Sequence, residues 1–318
     1  MPLATRQQEV FREGLWSMSL NHLLIPLDGS ELAESILPIA ATLAASLGAD
    51  LTLLTVVPAA SQPGATREPV AYLEQIAASL RSGGQRVRVM LRLGEAAERI
   101  LELAAEAASD VIVMATHGRT GLGQTIFGSV ADRVVRQSSI PVLLLHPNGH
   151  AARGLRTLLV PVDGTPGGAQ ALALAVPLAR CSRAKVVLVR ASVPLPLWLY
   201  DPTLGLNTGP LINPMWDEDA RQAAASYAEG LAARVSRVGI AAEGHGLSGQ
   251  PGPVVVSLAD EIDADLIVMS THGRGRPVRS VLGSVANEVV RESRRPVLLV
   301  HRPSHGYEPE PSWRATQA

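Results

Sequence analysis

Asp110-Val-Ile-Val-Met-Ala-Thr-His-Gly-Arg119 returns as Asp265-Leu-Ile-Val-Met-Ser-Thr-His-Gly-Arg274, and each copy runs on to Gly-Ser-Val-Ala. Across residues 110–146 and 265–301, 21 of 37 positions are identical at a constant offset of 155. Self-similarity of that quality comes from duplication, so the chain is one unit written twice. Working outward, Leu24-Ile-Pro-Leu-Asp28-Gly-Ser30 has its counterpart in Leu159-Val-Pro-Val-Asp163-Gly-Thr165, at an offset of 135. Gly94 and Gly249 are again 155 apart, so the second copy holds 20 extra residues, the difference between the two offsets, between its second and third strands. The stretch 193–217, rich in Pro, Leu and Trp, is where they are expected.

A chain of 318 residues suggests two domains, and the repeat places them at 19–148 and 154–303, the second carrying the insertion. The apolar fraction is 47% with only 3% aromatic residues, so each core is built from Val, Leu, Ile and Ala, as in parallel sheets covered by helices. A net charge of −1 gives no pull toward nucleic acid or an anionic membrane. The single cysteine, Cys181, rules out an internal disulfide and a Cys-based metal site and fits a reducing cytoplasm. Residues 1–21 have no apolar core of the signal-peptide kind and read as a flexible leader in which Met18 is a possible start. No apolar run reaches bilayer-spanning length. The polar, Pro-containing tail from Arg302 onward is expected to be disordered, and 147–156 reads as a linker.

Short β-branched runs alternate with longer helical patterns in each copy, the signature of βαβ units and a parallel sheet. Strands are expected at 22–27, 50–57, 86–92, 110–115 and 141–145, and again at 157–162, 185–191, 240–246, 265–270 and 296–300. The fold class is therefore α/β: two tandem doubly wound domains, each with a five-stranded parallel sheet ordered 3-2-1-4-5. Ser30 is expected to cap the first helix of copy one, and Thr165 followed by Pro166 to open that of copy two. Pro38 and Pro177 lie deeper and should kink or restart those helices.

In such a sheet the strand order reverses between strands 1 and 4, and ligands bind beyond the carboxyl ends of the strands at the reversal. Those two ends carry the repeated polar signals: Asp28-Gly-Ser and Asp163-Gly-Thr after strand 1, and the Thr-His-Gly-Arg loop after strand 4. Gly118 and Gly273 allow close backbone approach to a ligand. Gly128-Ser129 and Gly283-Ser284 sit where the next helix begins, and that helix start offers N–H groups, a hydroxyl and the helix dipole to an anion. Arg119 and Arg274 add positive charge.

The pattern Gly-x2-Gly-x9-Gly-Ser after a fourth strand, with an Asp closing the first, resembles the ATP-binding branch of the universal stress protein family in its tandem form, over residues 20 to 303. The fold this implies is adenine nucleotide alpha hydrolase-like. The resemblance implies ATP as ligand, with a Mg2+ ion held mostly by phosphates and water as an option. It further implies that Asp28 and Asp163 contact the adenosine beside Pro26, Leu27, Pro161 and Val162. Backbone near Val56 and Ala191 faces the adenine. Met114, His117, Gly118, Arg119, Gly128, Ser129 and Val130 complete the first nucleotide site, and Met269, His272, Gly273, Arg274, Gly283, Ser284 and Val285 the second. The last strands of the copies are implied to meet across a pseudo-two-fold axis. The family's first glycine is Ala115 in copy one and Ser270 in copy two, and copy two has Arg276 and Pro277 inside its spacer, which ranks copy one as the better ATP site.

Simpler readings stand beside these. Either Asp suits a helix start, and either Gly-Ser pair could merely cap a helix. His117 and His272 lack a sequence-adjacent carboxylate and read as loop-shaping rather than catalytic; His146 and His301 end the last strands symmetrically. Gly118-Arg-Thr-Gly-Leu-Gly123 has the wrong glycine order for a dinucleotide fingerprint, and no P-loop motif occurs. The insertion, with Trp198, Tyr200 and Trp216, reads as a lid or packing segment or as part of an oligomer contact. The expected function is a cytoplasmic, ATP-binding regulatory protein rather than an enzyme, as an intramolecular pseudo-dimer or a homodimer. A slow ATPase or phosphotransferase and a nucleotide-free interaction module are the alternatives.

Overall fold

The computed structural model describes residues 20–60, 66–117, 127–146, 149, 154–194, 215–271 and 282–301. The leader, the tail and most of the linker and insertion lie outside them. In the first half, β1 (His22–Pro26), β2 (Asp50–Val57), β3 (Val87–Leu93), β4 (Val111–Ala115) and β5 (Val142–Leu145) form a parallel sheet. In the second half, β6 (Thr157–Pro161), β7 (Lys185–Ser192), β8 (Ala242–Ser248), β9 (Leu266–Ser270) and β10 (Val297–Val300) repeat it. The order 3-2-1-4-5 holds in each half. The halves share one ten-stranded sheet, β3-β2-β1-β4-β5-β10-β9-β6-β7-β8, joined by the antiparallel pair β5–β10.

Helices cover both faces, which is why the eight strands inside the sheet read as apolar runs, while the edge strands β3 and β8 carry polar residues. On one face lie α1 (Glu31–Glu34), α2 (Leu37–Leu47), α3 (Arg67–Ser82), α6 (Pro166–Ser182) and α7 (Met215–Arg237); on the other lie α4 (Ala96–Glu106), α5 (Ser129–Gln137), α8 (Pro251–Glu261) and α9 (Ser284–Glu292). Each face forms one hydrophobic layer that runs through both halves, and α2 packs on α6 across the join. Leu23, Leu53, Ile112 and Leu143 are among the side chains with no measurable exposure, each contributing roughly 1.5–3 kcal/mol by burial.

The first acid of the repeated stretch has a structural task. Asp110 accepts the Asn21 and His22 N–H groups at 2.7 and 2.9 Å, and Asp265 accepts those of Arg156 and Thr157 at the same distances. Each carboxylate ties the start of a half's first strand beside its fourth. Pro38 restarts a helix as expected, at the amino end of α2, where its missing N–H costs nothing. Pro177 does not restart one: α6 runs unbroken through it between buried Val176 and Leu178, whose packing outweighs the lost bond.

The halves differ most where the insertion enters. Gly244 and Gly246 of β8 stand where β3 has Val89 and Leu91, and Ala228 of α7 stands where α3 has Leu73. A β-carbon at Gly244 would fall into the Ala228–Glu229 backbone, and one at Gly246 into that of Arg221 and Ala225. Removing side chains from both partners lets α7 lie directly on the edge strand.

Candidate functional site

The carboxyl ends of β1 and β4 diverge at the order reversal, and a cavity of about 180 Å³ opens there in the first half. β1 delivers Pro26, Leu27 and Asp28; β2 delivers Leu54 and Val56; β4 and its extension deliver Met114, Ala115, Thr116 and His117. The amino end of α5 supplies Gly128, Ser129 and Val130. All nine first-half residues singled out in sequence that fall within the described residues line this cavity. Gly118 and Arg119 lie outside the described residues, as do His272, Gly273 and Arg274.

Asp28 shapes its own turn. Its Oδ1 accepts the Ser30 N–H at 3.0 Å and the Ser30 hydroxyl at 2.6 Å, while the Ser30 Oγ accepts the Ala33 N–H at 3.1 Å to start α1. Gly29, at φ 81°, supplies the left-handed step between them. The helix-start reading of this acid thus holds for one oxygen, and the turn presents the carboxylate on the cavity wall.

On the far side, the Thr116 carbonyl accepts the Gly128 N–H at 2.8 Å, which brings the loop back to the end of β4 and aims α5 at the cavity. Gly128 is the N-cap residue with no side-chain bond, so the first amides of α5 receive no side-chain cap. At φ −62° any residue is allowed there, and a methyl would meet only ordinary contact, 3.4 Å from the Thr116 carbonyl. Among the described residues, packing therefore does not demand glycine at this wall. His117 is buried, with Nδ1 3.1 Å from the Thr116 hydroxyl and its ring 6.3 Å, edge to face, from that of His146. Burial, and then neighbouring His117, hold the His146 imidazole below its ordinary value of 6.5.

The second half repeats the frame. Pro161 ends β6, Val162 is buried beyond it, Ala191 lies near the end of β7, Met269 is buried in β9, and Gly283, Ser284 and Val285 open α9. Asp163 Oδ1 accepts the Thr165 N–H and hydroxyl at 2.9 and 2.7 Å, and the Thr271 carbonyl accepts the Gly283 N–H at 2.8 Å. The surroundings diverge. Arg190, where β2 has Thr55, rests 4.9 Å from the Tyr227 ring centre, and the Tyr227 hydroxyl is raised by burial first and Asp163 second. In the first half Glu95 caps α4 and pairs with Arg133 at 2.7 Å. The matching positions are Gln250 and Glu288, and the Glu288 carboxylate lies on Gly252 in the first turn of α8.

Sequence reasoning did not find Ala33, Leu54, Ala96, Ile100 and Ala131, which complete the cavity wall. They are ordinary core residues on their own elements, and only the tertiary arrangement turns them toward the opening. Among the described residues no cluster of three His, Cys, Asp or Glu could hold a metal ion, and no helix is long and apolar enough to cross a membrane.

Two doubly wound units of one order, each with an acidic first-strand end near a Gly-Ser helix start, define a tandem α/β protein of duplicated origin. The sequence profile of the Universal stress protein family matches residues 20–146 and 154–301, and the chain belongs to that family. A universal stress protein of Mycolicibacterium smegmatis is 28% identical over 218 residues, spanning 68% of this chain and 69% of the relative. One of Mycobacterium tuberculosis strain H37Rv is 28% identical over 215 residues, spanning 64% of this chain and 65% of the relative. The crystal structure of a universal stress protein from Archaeoglobus fulgidus shares the fold, with a TM-score of 0.67 at 20% identity over 90% of this chain and 100% of that chain.

Proposed function

We propose that this universal stress protein binds an adenine nucleotide, ATP in particular, and acts through that binding and the contacts it governs rather than through rapid turnover. The observation that carries the proposal is the first-half cavity, in which Asp28 and the uncapped start of α5 share one opening between β1 and β4. Leu54, Val56, Ile100 and Met114 give it an apolar interior suited to a flat base, while Asp28 is an acceptor for ribose hydroxyls. The amides at Ser129 and Val130, with the helix dipole behind them, suit a phosphate. The cavity is smaller than the ~300–1,000 Å³ that encloses a whole drug-sized ligand. The base and sugar would occupy it and the phosphates would run along α5 at its mouth. Gly128 leaves that path open although the described residues around it leave room for a methyl group.

The test is direct. Acid extraction of the purified protein followed by mass analysis should release adenine nucleotide, and ATP titration should give saturable binding. Gly128→Asp keeps a good helix cap at an allowed φ yet sets a carboxylate at the phosphate path. It should weaken ATP at least about ten-fold with an unchanged circular dichroism spectrum. Wild-type protein that carries no nucleotide and shows no measurable affinity would overturn the proposal.

A further inference from the structure

The helix that lines the first-half cavity is held at its other end by the second half. His301, the first residue beyond β10, places Nε2 2.8 Å from the carbonyl oxygen of Val135 in α5. A carbonyl can only accept, so Nε2 carries the hydrogen and donates. Val135 lies among the last residues of α5, whose carbonyls have no partner within the helix. One of those orphan acceptors is thus satisfied by a residue 166 positions away in sequence, and a donor at a helix carboxyl end is also favoured by the dipole.

From this contact we propose that His301 is a positioning residue for the first-half site: the second half sets the place of the α5 amino end and thereby the affinity of the cavity for its ligand. The proposal rests on the nucleotide reading above and adds an inter-half control to it. α5 is a nine-residue helix, and Val135 lies roughly 9 Å along its axis from Ser129. A rod that short passes a displacement of one end to the other. Its buried side, Ala131, Val134 and Val135, is apolar and non-directional, so sliding along the sheet is resisted mainly by directional bonds to neighbouring elements. Among the described residues, those tying α5 to its surroundings are the Gly128 N–H to the Thr116 carbonyl at 2.8 Å, the exposed Arg133–Glu95 pair at 2.7 Å, and the His301 bond. Of these, only His301 comes from the other half. His146, the same position in the first copy, presses its ring toward cavity-lining His117. The two strand-end histidines of the join thus lie against the cavity in different ways: His146 beside a lining residue, and His301 at the far end of the helix whose first turn lines it.

The test uses the full chain, with ATP as the probe, at a temperature where circular dichroism shows every variant folded. His301→Leu keeps an apolar body of similar size and loses the donor; His301→Gln keeps an N–H donor. ATP should bind His301→Leu about 3–10-fold more weakly, the loss expected for one hydrogen bond, and His301→Gln within about two-fold of wild type. Hydrogen exchange at the Asp132–Val135 amides of ligand-free protein, the first of α5 with partners within the helix, should speed up in His301→Leu and return toward wild type in His301→Gln. Unchanged affinity and exchange in His301→Leu, or a folded His301→Gln that behaves like Leu, would overturn the inference. Should wild-type protein fail to bind ATP, the nucleotide reading falls, while the exchange measurement still decides whether His301 holds α5.

Discussion

Leu143 and Leu298 face one another at the centre of the β5–β10 ladder, and they are the same position of the repeat, 155 residues apart. On either side the pairing exchanges equivalents: Leu144 faces Val297, and Val142 faces Leu299. A register that maps onto itself is the mark of a two-fold, isologous contact. Here it is built within one chain, at the middle of a continuous sheet.

Both hydrophobic layers cross this ladder, so the halves are expected to unfold together. Leu298→Ala removes a side chain that is 1% exposed and should cost about 2–5 kcal/mol. Calorimetry should show one transition moving to lower temperature. Two separated transitions in the wild type, only one of them shifted in the variant, would show that the layers are not energetically joined.

Glycine plays opposite parts on the two sides of the α7–β8 contact. At Gly246 a methyl group would enter the backbone of α7, so Gly246→Ala should destabilise by about 1–3 kcal/mol, as overpacking does. At Gly230, exposed within α7, a methyl meets nothing within 4 Å, and Gly230→Ala should stabilise by roughly 0.5–1 kcal/mol through helix propensity. Denaturant midpoints of the two variants, measured side by side, should move in opposite directions.

The depressed His146 imidazole sets a pH dependence with a definite sign. Its folded value lies below the ordinary 6.5, through burial first and His117 second, so between those values the unfolded chain binds more protons than the folded one. Linkage then makes stability rise with pH across that window and fall as the pH drops below 6.5. His146→Gln should flatten this component. The measurement is the difference in unfolding free energy between pH 8 and pH 5.5 for both proteins. A larger loss on acidification in the variant than in wild type would contradict the assignment.

The eight inner strands were legible because strands buried on both faces are written as Val, Ile and Leu runs, whereas the edge strands β3 and β8 mix Arg, Glu, Gly or His with apolar residues. The order 3-2-1-4-5 came from the doubly wound fold class and not from any residue. Asp28 and Gly128 stood out because a carboxylate and a glycine at strand and helix ends break the apolar pattern. Ile100 and Leu54 did not, since their residue types serve a cavity wall and a core equally well. The His301–Val135 bond joins positions 166 apart through the β5–β10 register, which no local pattern encodes. Gly244 and Gly246 signal a close backbone approach to β8, but that α7 is the approaching element is a tertiary fact. At Pro177 no restart occurs, because α6 is held whole by burial of Val176 and Leu178 against the rest of the fold, and that burial is a tertiary fact.

Asp28 allows its structural and ligand roles to be separated by one pair of substitutions. Asn at 28 keeps an acceptor oxygen in the place of Oδ1, so the bonds from the Ser30 N–H and hydroxyl survive while the charge is gone. Ala loses the acceptor as well. Stability should therefore fall by about 1 kcal/mol in Asp28→Ala, the usual worth of such a turn or cap bond, and stay within about 0.5 kcal/mol of wild type in Asp28→Asn. If the carboxylate also accepts hydrogen bonds from a ribose, ATP affinity should drop in both variants. Hydrogen bonds to charged groups contribute roughly 1.5–3 kcal/mol and neutral ones about 1, so Asp28→Asn should bind about 3–10-fold more weakly. Asp28→Asn with wild-type affinity and Asp28→Ala with losses in stability alone would confine Asp28 to shaping the turn, and the ligand contact would then have to lie with the β2 backbone and α5.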